Sequence, residues 1–299
     1  MAVHDSASNT LGHAESSALT ADRLPRNLKA FLKAITFRVA QTRDELEAAT
    51  KLVQQEYAKR GYTSSKSSSD IKLSLFNALP QTTTFVALLE GEVIGTITLI
   101  ADSPLGLPMD SIYRDELDGL RRQGRRLAEG SMLAVRTDLF GRGVFLMLNS
   151  KKLFLVFNLF KLWFDYARFL TSITTLCIAV HPKHDLLYRF LSFHDLAGER
   201  VYPGANHHSA IAKVLDFHLA DQELRAANKL GIHRLFFQKR AKPEQLAQKM
   251  LLKPEDLRYL FVERTSLFQQ ASAEQIQHLQ QCYPSYRFQE ILGPSALST

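Results

Sequence analysis

TTLCIAVHPKHDLLYRFLSF, residues 174–193, opens as an apolar run and closes as a short helix. TTLCIAV (174–180) has the β-branched, apolar content of a buried strand. His181-Pro182 breaks it, because proline cannot donate to a ladder. DLLYRFLSF then reads as a helix that carries Tyr188 back toward the end of that strand and stops near Phe193. Such a turn aims a phenol at the strand's C-terminal edge. Tyr188 is either a proton donor placed there or a half-buried helix residue.

Working outward, TFRVAQT (36–42) reads as a short strand. Asp44 opens a helix with Leu46, Ala49, Leu52, Val53 and Tyr57 at helical spacing, ended by Gly61. Residues 63–70 form a polar loop, and IKLSLFNAL (71–79) reads as a short helix. TTTFVALLEGEVIGTITLIAD (82–102) is a β-hairpin with Gly91 at its turn. SPLGLPM (103–109) is a proline-punctuated loop, and residues 111–126 read as a helix ending in a basic cluster. RLAEGSMLAVRTD (126–138) is another strand, and FGRG (140–143) opens a long apolar helix running to residue 170. HSAIAKVLDF (208–217) is a final strand. Residues 1–35 are expected to be disordered or loosely ordered, residues 36–218 to form an α/β core, and residues 219–299 a helical extension divided by prolines.

The chain has 299 residues and a formal net charge of +7, which favours an acidic partner such as a carrier protein or an anionic membrane surface met peripherally. The basic residues have neither interleaved aromatics nor a reading helix, so no nucleic-acid partner is expected. Two cysteines exclude a disulfide framework and a zinc cluster, and fit a reducing, cytoplasmic setting. His181, His184, His207 and His208 lack Cys or carboxylate partners at ligand spacing, so no metal is expected. Lys151, Lys152, Lys161 and Asp165 interrupt the apolar run at 143–170, which argues for a buried helix and against a membrane span.

The order strand–helix–hairpin–strand–helix–strand–helix–strand, with Tyr188 and Phe193 after the fifth strand, resembles the GNAT acyltransferase superfamily. That likeness implies a mostly antiparallel α/β sheet whose fourth and fifth strands splay, with an acyl thioester inserted between them and Tyr188 protonating the departing thiolate. DLFGRG (138–143) is a degenerate match to the superfamily's pyrophosphate loop, since Asp138 stands at its cationic position. RRLAEGSMLAV (125–135) resembles acyl-homoserine-lactone synthases and, more closely, long-chain N-acyl amino acid synthases. EYAKRGY (56–62), PKHDLLY (182–188) and residues 257–270 add to that resemblance. Met132 replaces the lactone synthases' arginine, which argues against lactone formation.

The resemblance implies transfer of a long acyl chain from acyl carrier protein to an amino acid's α-amine, with no tightly bound cofactor. An acyl-coenzyme-A donor and a non-catalytic acyl-chain or membrane-surface binder are the alternatives. Glu129 is the expected general base; otherwise it is a surface carboxylate paired with Arg125 or Arg126. An amino acid presents an ammonium that must lose a proton before it attacks a thioester. Ser131, Met132, Leu133, Ala134 and Val135 would line the substrate, with a backbone N–H near Leu133 or Ala134 facing the oxyanion. Tyr57 and Tyr62 would stand on the acceptor side, with His184 fixing the turn. Phe145, Leu148 and the further phenylalanines of the long helix would line an acyl tunnel, or simply pack the core. Arg142, Lys151 and Lys152 would dock the carrier protein.

Overall fold

A computed structural model describes residues 28–63, 69–140, 150–247 and 249–293. Phe145, Leu148 and Arg142, with the glycines of the 140–143 turn beyond Phe140, lie outside the described residues. In chain order the elements are α1 (Leu28–Ala34), β1 (Ile35–Val39), α2 (Arg43–Ala58), β2 (Thr83–Leu89), β3 (Glu92–Ala101), α3 (Asp110–Arg122) and β4 (Leu127–Val135). They continue with α4 (Ser150–Leu170), β5 (Thr175–Val180), α5 (Asp185–Phe190), β6 (His194–Tyr202), β7 (His208–Asp216) and α6 (Phe217–Ala226). Further helices follow to Leu292, most of them short, with one of ten residues at Ala273–Cys282.

The seven strands form one sheet in the order β1-β2-β3-β4-β5-β7-β6. Every neighbouring pair is antiparallel except β4 with β5. That parallel pair holds register over three positions only: Leu127 with Thr175, Ala128 with Leu176, and Glu129 with Cys177. β4 runs on to Val135 and β5 to Val180 without pairing further with each other, each keeping its other neighbour, β3 and β7. The expected splay is present, and it opens immediately after Glu129.

Packing sets the two faces. α2 is capped by Thr42, whose hydroxyl accepts the Glu45 N–H at 3.2 Å, and Glu45 takes both guanidinium nitrogens of Arg38 on β1. Its apolar stripe, Ala49, Leu52 and Val53, packs with Met132 and Ala134 of β4. α4 covers the opposite face with Leu155, Leu159, Phe160, Trp163 and Phe164. Each such side chain stabilises the fold by about 1.5–3 kcal/mol when fully buried. Gly130 permits the closest approach: a Cβ there would fall 2.4 Å from the Trp163 ring.

Three features differ from the sequence expectations. β6 is an additional strand on the sheet's edge, between α5 and β7. Residues 28–34, expected to be loosely ordered, form α1, and Phe31 is fully buried against the α4 core. Lys161 and Asp165, expected only to interrupt an apolar run, form a buried ion pair at 2.6 Å. Lys161 also donates to the Lys239 carbonyl and Asp165 accepts the Ala241 N–H, which fastens that segment to α4. Further on, Leu257, Leu260, Phe261, Phe268 and Phe288 build a second core against Ile71, Ala78 and Leu79. Among the described residues no helix is long and apolar enough to cross a membrane.

Candidate active site

Glu129 sits where β4 and β5 part, 2% exposed. The surface alternative fails: Arg125 pairs with Asp216, and Arg126 donates to the Ser172 carbonyl. Glu129 accepts a hydrogen bond from the Met109 backbone N–H at 2.8 Å. The proline-punctuated loop delivers that donor. Asp110 accepts the Leu107 N–H at 2.6 Å and is gripped by Arg121, which also holds Asp102 and Asp118. Burial pushes the Glu129 carboxyl up to about 8; the Met109 bond pulls it down and the nearby Asp110 charge adds to the rise.

Glu129 acts electrostatically on two phenols, Tyr57 at the end of α2 and Tyr202 at the end of β6. Burial pushes Tyr57 up to about 12, and raises Tyr202 as well. Tyr188 lies on the α4 side of the sheet, against Phe160 and Phe193, with ring centroids 6.0 and 5.5 Å away. Burial also raises its phenol, with a further contribution from Tyr57. Glu129, bonded to Met109, and Tyr188, packed in the α4 core, thus lie on opposite faces of the sheet, and Tyr57 interacts electrostatically with both.

The β4 segment expected to line the substrate is irregular. Ser131 faces Thr98 and Ala134 faces Thr96, so three steps on β4 match two on β3. The bulge puts Met132 at φ +55°, a left-handed backbone uncommon outside glycine. Met132 and Leu133 are thereby taken out of register with β3. Met132 Sδ receives the Asn77 amide at 3.7 Å, and Val135 joins the α4 core.

Beyond Tyr57, Tyr62 meets Tyr57 edge-on at 5.8 Å and packs on His181 and His208. His184 is pushed down to about 4 by burial, then by Lys183, His181, Arg60 and Lys152. Lys152 is itself lowered by burial and by Arg60, so it is not a fully solvated group. Lys151 lies 5.5 Å over the Phe31 ring. Glu56, buried at the end of α2, accepts from Thr137 N and Oγ1, Lys59 and Arg60. Asp138 is paired with Arg136 at 3.0 Å. Phe154, expected to face the core or tunnel, is 41% exposed. Met109, Tyr202, Lys183 and His208 were not expected at the site. Met109 contributes only a backbone N–H, Tyr202 ends the edge strand β6, His208 opens β7, and Lys183 lies in the PKHDLLY segment, whose resemblance gave that lysine no role. Among the described residues no group of three or more His, Cys, Asp or Glu is placed to hold a metal ion.

The model of the FeeM N-acyl amino acid synthase family matches residues 48–216, more than half of the chain. The chain belongs to this family. It is an acyltransferase with a GNAT-like fold, and Glu129, the splay and the Tyr57 contacts all fall within the matched span. Among solved structures, FeeM, an N-acyl amino acid synthase from uncultured soil microbes, is 30% identical with a TM-score of 0.54, covering 64% of this chain and 96% of its own. The acyl-homoserine-lactone synthase LasI is 13% identical with a TM-score of 0.45, covering 62% of this chain and 92% of its own. An acyl-CoA N-acyltransferase from Pseudomonas aeruginosa is 12% identical with a TM-score of 0.39, covering 60% of this chain and 98% of its own. No curated protein matches the sequence.

Proposed function

We propose that this family member moves a long-chain acyl group from acyl carrier protein to the α-amine of an amino acid. The observation that carries the reading is a carboxylate buried at the start of a strand splay, its pKa pushed up to about 8. A base works best when its pKa lies near the working pH. Glu129 takes a proton from the acceptor ammonium, directly or through water. The freed amine attacks the thioester carbonyl carbon, forming the C–N bond. Backbone N–H groups at the Met132–Ala134 bulge face the developing oxyanion. The C–S bond then breaks, Tyr188, kept protonated by burial, gives its proton to the thiolate, and the second ammonium proton leaves the new C–N nitrogen through water to restore the Tyr188 phenol. The aromatic cluster on the α4 face receives the acyl chain, at about 0.8 kcal/mol per buried methylene.

The net charge of +7 supports an acidic carrier protein as donor, with Lys151 and Lys152 at the start of α4 as docking cations. Coenzyme A is the alternative carrier. Incubation with acyl carrier protein charged with fatty acids, or with the matching acyl-coenzyme A, plus an amino acid pool, tests the reading by mass spectrometry. N-acyl amino acids formed preferentially from the carrier protein are expected. Free fatty acid alone, or no turnover from either donor, would refute the reading.

A further inference from the structure

The end of α2, the β5–α5 turn and the β6–β7 turn meet at one cluster. The Tyr62 ring lies 5.0 Å from His208 and 6.1 Å from His181. Lys183 Nζ stands 5.3 Å over the same ring. Asn206 ties the β6–β7 turn to the end of α2 by donating to the Gly61 carbonyl at 3.0 Å. The Tyr62 hydroxyl is buried and has no hydrogen-bond partner. Native proteins seldom leave such a group unpaired, because it has given up water for nothing.

The groups that touch the Tyr62 ring are donors or cations, although the Glu199 carboxylate also acts on His181. His181 Nδ1 accepts the Lys183 backbone N–H at 3.1 Å, so the ring proton resides on Nε2, a donor. Burial, then Lys183 and His208, lower the His181 pKa and favour this neutral form. Lys183 is a further donor and carries a positive charge. A phenol O–H, an imidazole N–H and an ammonium together suit an anion. Tyr57, edge-on to Tyr62, is the ring on which Glu129 acts. This donor cluster therefore stands one aromatic ring away from the carboxylate that would accept an ammonium proton.

We propose that Tyr62, His181 and Lys183 bind the α-carboxylate of the acceptor amino acid, orienting its amine toward Glu129. This rests on the acyltransferase reading above. It makes the enzyme selective for free amino acids over their amides and over simple amines.

The test uses the full chain with the proteinogenic amino acids as free acids and as primary amides. Acyl transfer is followed by mass spectrometry and binding by calorimetry. The free acids should be preferred by about a hundredfold in kcat/KM, and only they should bind measurably. Tyr62→Phe should raise the acceptor KM about tenfold, leave the donor KM unchanged, and leave Tm unchanged or higher, since it removes an unpaired hydroxyl. Lys183→Met should narrow the acid-to-amide preference. Amides turned over as well as acids would overturn the carboxylate site while the acyltransferase reading stands. Acid-selective binding without transfer would uphold the site and sink that reading. A Tyr62→Phe effect confined to the donor KM would reassign the anion to the pantetheine phosphate and overturn the proposal.

Discussion

Glu129 keeps its proton to about pH 8 because burial disfavours its charge more strongly than the single Met109 N–H favours it. The same shift has a stability cost whose sign is fixed. Between 4.5, the ordinary value, and about 8 the unfolded chain has released this proton while the folded chain retains it. The group's contribution to stability therefore falls as pH rises through that window. Glu129→Gln should raise stability at pH 8 by a few kcal/mol, to order of magnitude, and gain nothing below about pH 4. Thermal unfolding of both forms at the two pH values checks this. Tyr188→Phe should lower kcat about a hundredfold with little change in acceptor KM, read by steady-state kinetics. Glu129 was legible because AEGSMLAV carries both a strand pattern and a family likeness. Its hydrogen-bond donor was not, because a backbone N–H from a loop leaves no side-chain signature.

At the scale of elements, the splay depends on how β4 and α5 are held. Gly130 lets Trp163 lie directly on β4. Gly130→Ala should displace that ring, destabilise by about 1–3 kcal/mol and reduce transfer, as chemical denaturation and activity together would show. α5 is held by Lys213 of β7, which is fully buried and pairs with Asp185 and Asp195 at 2.5 and 2.6 Å. Both carboxylates are partly solvated, so Lys213→Met should cost only about 1–3 kcal/mol. Because Asp185 opens the helix that carries Tyr188, kcat should fall as well. β2, β3 and β5 were plain in the sequence because they are apolar runs. β6, HDLAGERVY, was missed because it is an edge strand with no buried residue and no apolar alternation.

For the whole molecule, the charge of +7 predicts that carrier-protein use is sensitive to salt. Raising ionic strength from about 0.1 to about 1 M shortens the screening length from about 10 to about 3 Å. The KM for the acyl carrier protein should rise about tenfold or more over that range, while the acceptor KM changes little. The net charge was legible from composition. The burial of residues 252–292 against α2 and the 71–79 segment was not, because short helices between prolines give no periodicity that names their partner. The core claim, a buried base beside a strand splay, is tested most directly by the pH dependence of kcat/KM for acyl transfer, wild type against Glu129→Gln. The wild type should climb about tenfold per pH unit below about 8 and then bend over. The variant should fall at least a hundredfold and keep only the titration of the acceptor amine itself. A Glu129→Gln enzyme with the wild-type rate and profile would contradict the account.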